Sequence, residues 1–560
     1  MVRALLLNAV DVPSTASCLM PDNGLASLAA VLVDGGHEVE ICDPATLSVL
    51  RDHLYPEERE TLRRLADTLR TGRVSGVVAT EMALVEQLLE STVHRVYARL
   101  HEQLDRQLSR KRTDLLGIKL WFGPALREAM QVAESLVSRH PHLRIFVGGP
   151  MATLMPEQLL QEFGAVEAVC VGEGEETISA LAEHCDRGLP LSGIPNLVTR
   201  NGSGFDASLR SFPDLGRLPR PTYLPDIYPA MSGEEKLPII YVDDSRGCPR
   251  RCPFCGHRVF SGTQRRQLPA SRVVAHMKHW HHQLGARAFR FTGSSTPEPL
   301  YREIADLLLE EPTKFLYSGF AHLGSWQSPD YARLRRSGLA ALFVGIESAS
   351  RDLLRAGLGK ALNPVRLGGQ INACMAAGIF VCGSVIFPAP GETRSTEQET
   401  FRFLVDLFGG HELGAVPVQP AFPAPYSEWW DHLRAYGFEA DRAALLADLL
   451  RRRARRFVAH GTDPLPYRLD GLPFSELSAK STRFVHRLRE RGVVTGMSDE
   501  TVLIALAAGY SPREFQRIDR EIFILGDADR MAEIIRRVRL GGHAEQDDTA
   551  GPSRGCGHSA

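Results

Sequence analysis

Three cysteines fall within one short stretch, Cys248-Pro-Arg-Arg-Cys252-Pro-Phe-Cys255. Thiolates are soft ligands, and the C-x3-C-x2-C spacing lets one loop wrap a face of an iron–sulfur cubane. Three ligands leave one iron without a cysteine, open to a substrate or cofactor. The competing reading is a Cys3His zinc site completed by His257, although structural zinc sites usually come as two separated ligand pairs. A c-type haem is excluded, because Gly256 and not histidine follows Cys255. The remaining cysteines, Cys18, Cys42, Cys170, Cys185, Cys374, Cys382 and Cys556, are scattered. A tight cluster among scattered thiols argues for a metal in a reducing compartment, not for disulfides.

The elements that must position this loop alternate. Ile239–Val242 reads as a strand ending just before it. Further strand-like runs follow at Ala288–Thr292, Lys314–Ser318, Ala341–Ile346, Ile379–Ile386 and Gly414–Val418, with helical stretches such as Ser271–Leu284 and Leu300–Leu309 between them. About six β/α units result, fewer than the eight of a closed barrel, so a partial, open-sided (β/α)6 barrel is expected over 239–428.

An earlier series has the same grammar. Strands are expected at Ala4–Val10, Val39–Cys42, Leu115–Leu120, Leu143–Val147 and Ala168–Val171, with an Arg- and Leu-rich helical insert over 46–112. This pattern implies an α/β fold with a doubly wound parallel sheet over 1–186, and such sheets bind ligands beyond their carboxyl ends. Gly148-Gly149-Pro150 and Gly172-Glu173-Gly174-Glu175 stand there, where glycines let backbone approach a bulky ligand. Eight prolines between 187 and 238 mark an extended linker. Residues 429–540 read as a helical C-terminal domain and 541–560 as a disordered tail.

The chain has 560 residues, 44% hydrophobic and 24% charged, with a net charge of -2. That is ordinary globular composition, and it gives no reason to expect a nucleic-acid binder. No apolar run is expected to reach the roughly 20 residues of a membrane span. The N-terminal run reads as a strand and not a signal peptide, so a cytoplasmic protein is expected.

The cluster loop resembles that of the radical SAM enzymes, whose signature is C-x3-C-x-(aromatic)-C, with Phe254 as the aromatic. Three further segments carry the likeness. Phe291-Thr-Gly293-Ser294-Ser295 stands where that family places a turn for the amino group of S-adenosylmethionine (SAM), although it departs from the usual Gly-Gly-Glu. Gly345-Ile-Glu347-Ser348 matches a Gly-Ile-Glu-Ser that faces the SAM ribose and methionine. Pro390-Gly391-Glu392-Thr393 matches a segment common in one branch. The resemblance implies a 4Fe-4S cluster on Cys248, Cys252 and Cys255. It implies SAM contacts from Phe254, Gly293, Ser294, Ser295, Glu347 and Ser348.

The first domain resembles the cobalamin-binding domain of the cobalamin-dependent (class B) radical SAM methyltransferases. Gly148, Gly149, Gly172, Glu173 and Gly174 are implied as cobalamin contacts, and Ile194-Pro195-Asn196 replaces the family's Ile-Pro-Gly. The Asp-x-His-x-x-Gly motif is absent, and His37 reads as a surface residue. Cobalt is therefore expected to lack a protein histidine. Arg63, Arg64 and Arg70 read as solvated helix residues more readily than as caps of that position. The implied reaction moves a methyl from SAM through methylcobalamin to a carbon of a small-molecule or peptide substrate in secondary metabolism. Domain sizes point within the family to the branch that methylates C2 of tryptophan in thiopeptide antibiotics. The alternatives are a cobalamin-dependent rearrangement or cyclisation, or a tRNA methylthiotransferase-like activity. The partners expected are that substrate and an electron donor, with no membrane and no nucleic acid. No catalytic acid or base stands out.

Other features are read as structural. His276, His279, His281 and His282 are expected on a solvent-facing helix, and Arg451-Arg-Arg-Ala-Arg-Arg456 on a solvated face. Trp429-Trp430 either lines the substrate cavity or packs the C-terminal domain.

Overall fold

The computed structural model describes residues 1–70, 76–202, 204–327, 329–451 and 465–541. The tail with Cys556, the side chains of Arg70 and Arg451 and the whole basic run after Arg451 lie outside the described residues.

The first unit is one seven-stranded sheet of order β2-β1-β3-β4-β5-β6-β7. Its strands are β1 (Arg3–Ala9), β2 (Glu38–Cys42), β3 (Leu115–Leu120), β4 (Arg144–Gly148), β5 (Val166–Cys170), β6 (Leu197–Asn201) and β7 (Gly204–Ala207). The first five are parallel. Their near-continuous apolar runs fit a sheet covered on both faces. The helices are α1 (Asn23–Asp34), α2 (Leu47–Asp52), α3 (Pro56–Arg70), α4 (Gly76–Arg110), α5 (Pro124–Arg139), α6 (Pro150–Leu154), α7 (Pro156–Glu162) and α8 (Glu175–Arg187). Asp22 caps α1 by accepting from Leu25 N–H at 2.8 Å, a contact worth about 1 kcal/mol.

Three expectations need correction here. The stretch over 187–238 is not a free linker. β6 pairs antiparallel with β5, and β7 with β6, so the sheet gains two strands from it. The rest of that stretch is packed: Tyr223 and Tyr228 are fully buried in a core that continues from Leu6 and Phe146 to Ile240 and Phe289. Secondly, one segment, Ala16–Asp34, is long and apolar enough by composition to cross a membrane. Here a 3-10 turn and α1 divide it, and Leu25, Ala26, Ala29 and Leu32 are buried in the core. Thirdly, the helix bearing the four histidines (Ala270–Leu284) is not solvent-facing throughout. His276 is 6% exposed, and burial, with Arg220 and Arg272 nearby, pushes its pKa down to about 4.

The second unit is a parallel sheet of order β15-β14-β13-β12-β11-β8, with a short antiparallel pair, β9 (Ser245–Arg246) with β10 (Arg266–Gln267), between β8 and β11 in the chain. Its members are β8 (Ile239–Val242), β11 (Ala288–Phe291), β12 (Leu316–Ala321), β13 (Leu339–Glu347), β14 (Phe380–Ile386) and β15 (Gly414–Ala415). β16 (Val418–Gln419) also pairs with β14. Among the described residues β8 and β15 do not pair, so this is a six-unit partial barrel.

The C-terminal part is mainly helical with a small antiparallel sheet at Phe438–Ala440, Tyr467–Leu469 and Leu472–Pro473. Its helix Asp499–Ala507 closes the amino end of the barrel. Leu503 and Ile504 pack on Ile239, Ala288 and Ala340, at or near the starts of β8, β11 and β13. Asp499, 1% exposed, accepts from Arg290 Nε at 3.1 Å and from Ser318 Oγ at 2.9 Å. The lower end is thus sealed, and the carboxyl end is left for chemistry.

Candidate active site

The cluster loop leaves β9 at Gly247, whose φ is +78°. A Cβ there would stand 2.1 Å from Gln264 O, so only glycine lets the chain turn at this point. Cys255 N–H donates to Cys252 O at 3.1 Å, and Trp429 N–H donates to Pro253 O at 3.0 Å. The Trp429 ring lies 5.7 Å from that of Phe254, and its Nε1 donates to Gly357 O. Trp429 and Trp430 are therefore packing residues that hold the loop from behind.

All three cysteines are free and half-buried. Burial pushes Cys252 up to about 11 and also raises Cys255, while Lys360 opposes the rise in both. The charges of Cys255 and Cys248 add to that rise at Cys252. The donor set is three thiols beside one ammonium, which fits an anionic iron–sulfur cluster. His257 does not complete a zinc site: its Nε2 is hydrogen-bonded to Ser294 Oγ. Among the described residues no three His, Cys, Asp or Glu side chains converge at single-ion spacing.

Glu347 ends β13 with φ +62° and forms an ion pair with Lys360, Oε1 to Nζ 2.6 Å. Lys360 Nζ also donates to Gly345 O and lies 5.6 Å from the Phe254 ring centre. A Cβ at Gly345 would meet Glu347 Oε1 at 2.3 Å, so this glycine makes room for the pair. Gly293 N–H donates to Asp244 Oδ1 at 2.8 Å, and Asp244 also accepts from Thr296 and Ser245. Asp244 thereby ties the turn after β11 to the end of β8. Ser295 lines a separate cleft. Ser348 departs from its expected role. It is 2% exposed, and its Oγ pairs with Thr400 and accepts from Ser350 N–H, so its hydroxyl faces packing and not a ligand.

A cavity of about 310 Å³ begins between α1 and α8 and runs over the carboxyl end of the first sheet. Leu6, Leu25, Leu28, Phe146, Ile178 and Leu181 form its apolar wall. Gly148, Gly149, Gly172, Glu173 and Gly174 all line it. Ser245, His257, Thr292 and Ser294 close it from the barrel side. Its mostly apolar wall with polar residues at the edge suits a ligand of the same character, as a corrinoid is. Among the described residues, no histidine of the first sheet lines it. His37 lies at the other end of the strands, accepting from Val2 N–H at 3.1 Å. Arg63 and Arg64 are exposed and bonded within their own helix.

Glu173 needs a second correction. Its carboxylate is not free for a cofactor: it takes a two-point contact from Arg266 and a third bond from Arg246. Asn196, in left-handed backbone at φ 58°, donates to Glu173 O and fixes this turn. Arg246 also pairs with Glu175 and Asp243, both at 2.7 Å. Burial disfavours the Arg246 charge, but three carboxylates overcome that and hold its pKa well above the usual value. Sequence reasoning passed over Arg246 and Arg266. The run Asp243-Asp244-Ser245-Arg246 directly before the cluster loop was the available signal.

The radical SAM superfamily model matches residues 242–404, and the B12 binding domain model matches residues 75–182. An uncharacterized methyltransferase of Pyrococcus horikoshii is 26% identical over 57% of this chain and 69% of its own length. The hopanoid C-3 methylase of Methylococcus capsulatus is 28% identical over 32% of this chain and 34% of its own length. The radical SAM methyltransferase TsrM of Kitasatospora setae, solved with tryptophan and a SAM analogue, is 16% identical. It aligns over 93% of this chain and 99% of its own with a TM-score of 0.63, which shows a shared fold. With the cysteine loop inside one matched segment and the glycine-lined cavity built largely by the other, this chain combines a radical SAM domain, whose cofactors are a 4Fe-4S cluster and SAM, with a B12 binding domain, whose cofactor is cobalamin.

Proposed function

We propose that the protein is a C-methyltransferase that takes a methyl from SAM and delivers it, by way of cobalamin, to an unsaturated carbon of a small substrate, with C2 of tryptophan as the best reading. One observation carries this. The cavity of the first sheet is continuous with Ser294 and His257 beside the cluster loop, so both cofactors would share one chamber. Bound together, the cofactors supply the methyl relay and the one-electron chemistry that side chains lack. The chain's own residues do the rest. Arg246 and Arg266 lock the first sheet onto the barrel through Glu173. The helix Asp499–Ala507 seals the lower end against water. Relatives named as methyltransferases support methyl transfer, and tryptophan in the TsrM structure supports the acceptor. A small-molecule substrate, an electron donor and a cytoplasmic setting belong to the same reading.

The test is anaerobic incubation of the reconstituted enzyme with tryptophan and methyl-labelled SAM. The label should appear in 2-methyltryptophan by mass spectrometry. Consumption of SAM with no label in any product would replace methyl transfer by a rearrangement.

A further inference from the structure

Six arginines lie in or beside the cluster loop, and four of them form two contrasting pairs. Arg246 and Arg266 are saturated by Glu173, Glu175 and Asp243. Arg250 and Arg265 have no carboxylate within 4.0 Å among the described residues. Both line a cleft of about 500 Å³ with Pro249, Ser295, Glu298 and Gln327. Arg265 Nε is buried there with no hydrogen-bond partner, which leaves a polar group at a cost of about 1–3 kcal/mol unless something accepts from it. Glu298 also lines the cleft and offsets one of the two charges, but its carboxylate accepts from Gln327 N–H at 2.8 Å and forms no ion pair with either arginine, so the cleft keeps one net positive charge. His322, at the end of β12, adds a neutral donor or acceptor: its Nδ1 lies 3.4 Å from Arg250 Nη2. Burial, with Arg250 and Lys360 close by, pushes its pKa down to about 4, so His322 carries no charge that would repel Arg250.

We infer that this cleft binds the carboxylate of the methyl acceptor, with Arg250 and Arg265 as its two cationic contacts. Planar guanidiniums match a carboxylate's paired oxygens, and such charge-assisted bonds are the strong ones. The inference rests on the proposed methyl transfer only for the word acceptor; the anion site is drawn from the two unpaired guanidiniums. It restricts the substrate class to acids such as free amino acids, and it excludes neutral isoprenoids and polyketides without an acidic group. Arg250 lies between Cys248 and Cys252 in the chain, so a bound acid would sit beside the cluster loop.

The experiment uses the reconstituted holoenzyme and two probe pairs that differ in the carboxylate, L-tryptophan against L-tryptophanamide and benzoate against benzamide, in equilibrium dialysis. Each acid should be retained at least tenfold better than its amide. Arg250→Gln with Arg265→Gln should erase that preference, while retention of labelled SAM and the iron and cobalamin contents stay unchanged. The single variants Arg250→Lys and Arg265→Lys should keep part of it, which guards against a fold defect in the double variant. A preference for benzoate without one for tryptophan keeps the anion site and removes tryptophan as acceptor. Equal retention of acid and amide in both pairs overturns the inference. A parallel fall in SAM retention also overturns it, because the arginines would then serve SAM.

Discussion

Glu173 Oε1 lies 2.6 Å from Arg266 Nη2, and Glu173 Oε2 lies 2.8 Å from Nη1. This two-point contact joins the turn after β5 to β10, so it docks the cobalamin-binding sheet on the barrel. Its carboxylate is 6% exposed. Breaking one side of a buried ion pair typically costs about 3–5 kcal/mol, because the other charge is left uncompensated. Glu173→Gln keeps the shape and removes the charge. Its urea midpoint should fall by an amount corresponding to roughly 3 kcal/mol, whereas Glu134→Gln on an exposed helix face should stay within about 0.5 kcal/mol. Equal stability of the two variants would remove the docking role.

The cavity between α1 and α8 yields a prediction on cobalamin. A Cβ at Gly148 would meet nothing closer than Cys170 Cβ at 3.6 Å, an ordinary contact. Gly148→Val should therefore fold, yet its branches would enter the cavity. We expect cobalamin retention after gel filtration to drop at least tenfold, with iron content unchanged. Full corrinoid loading of the valine variant would move the binding site elsewhere.

Much of the fold was legible because buried parallel strands are short apolar runs between turn signals. β3 and β8 fall where those runs predict them. What escaped were pairings that depend on distant chain. β6 reads as linker, since prolines surround it, and only the open edge of β5 makes it a strand. His276 reads as a surface residue because helical spacing shows which residues share a face but not what covers that face. In the site, the cysteine loop announces itself by local spacing. The role of Glu173 does not, because its partner Arg266 lies 93 residues away. Ser348 looked like a ligand contact only because it follows Glu347; Thr400, far along the chain, claims its hydroxyl.

Glu392, in the Pro-Gly-Glu-Thr segment, makes stability depend on pH. Burial raises its pKa from 4.5 to about 7, although Thr396 and Ala389 N–H partly oppose this. A carboxyl with a raised folded-state value binds its proton more tightly in the native protein. Its contribution is whole below about 4.5 and is lost as pH rises through about 7. The full loss is at most about 3 kcal/mol, at 1.36 kcal/mol per unit. Glu392→Gln lacks this proton. Urea unfolding at pH 5 and pH 8 should show wild type losing stability relative to the variant as pH increases. A constant difference between the two proteins would contradict the assignment.

Removing one thiolate separates the two cofactor sites. Cys252 sits in the loop held by Trp429, while the cobalamin cavity is walled by Leu6, Phe146 and the glycines of the first sheet. These walls share no residue with the cysteine trio. Cys252→Ala replaces a half-buried thiol by a smaller apolar group, so the packing loss is modest and the fold should survive. Two remaining thiolates hold a cubane poorly, because an iron loses its anchor. After anaerobic reconstitution the variant should have lost most of its iron and its visible cluster absorbance. It should keep cobalamin at the wild-type ratio and show no methyl transfer. Loss of both cofactors together would mean that the cavity forms only around an assembled cluster.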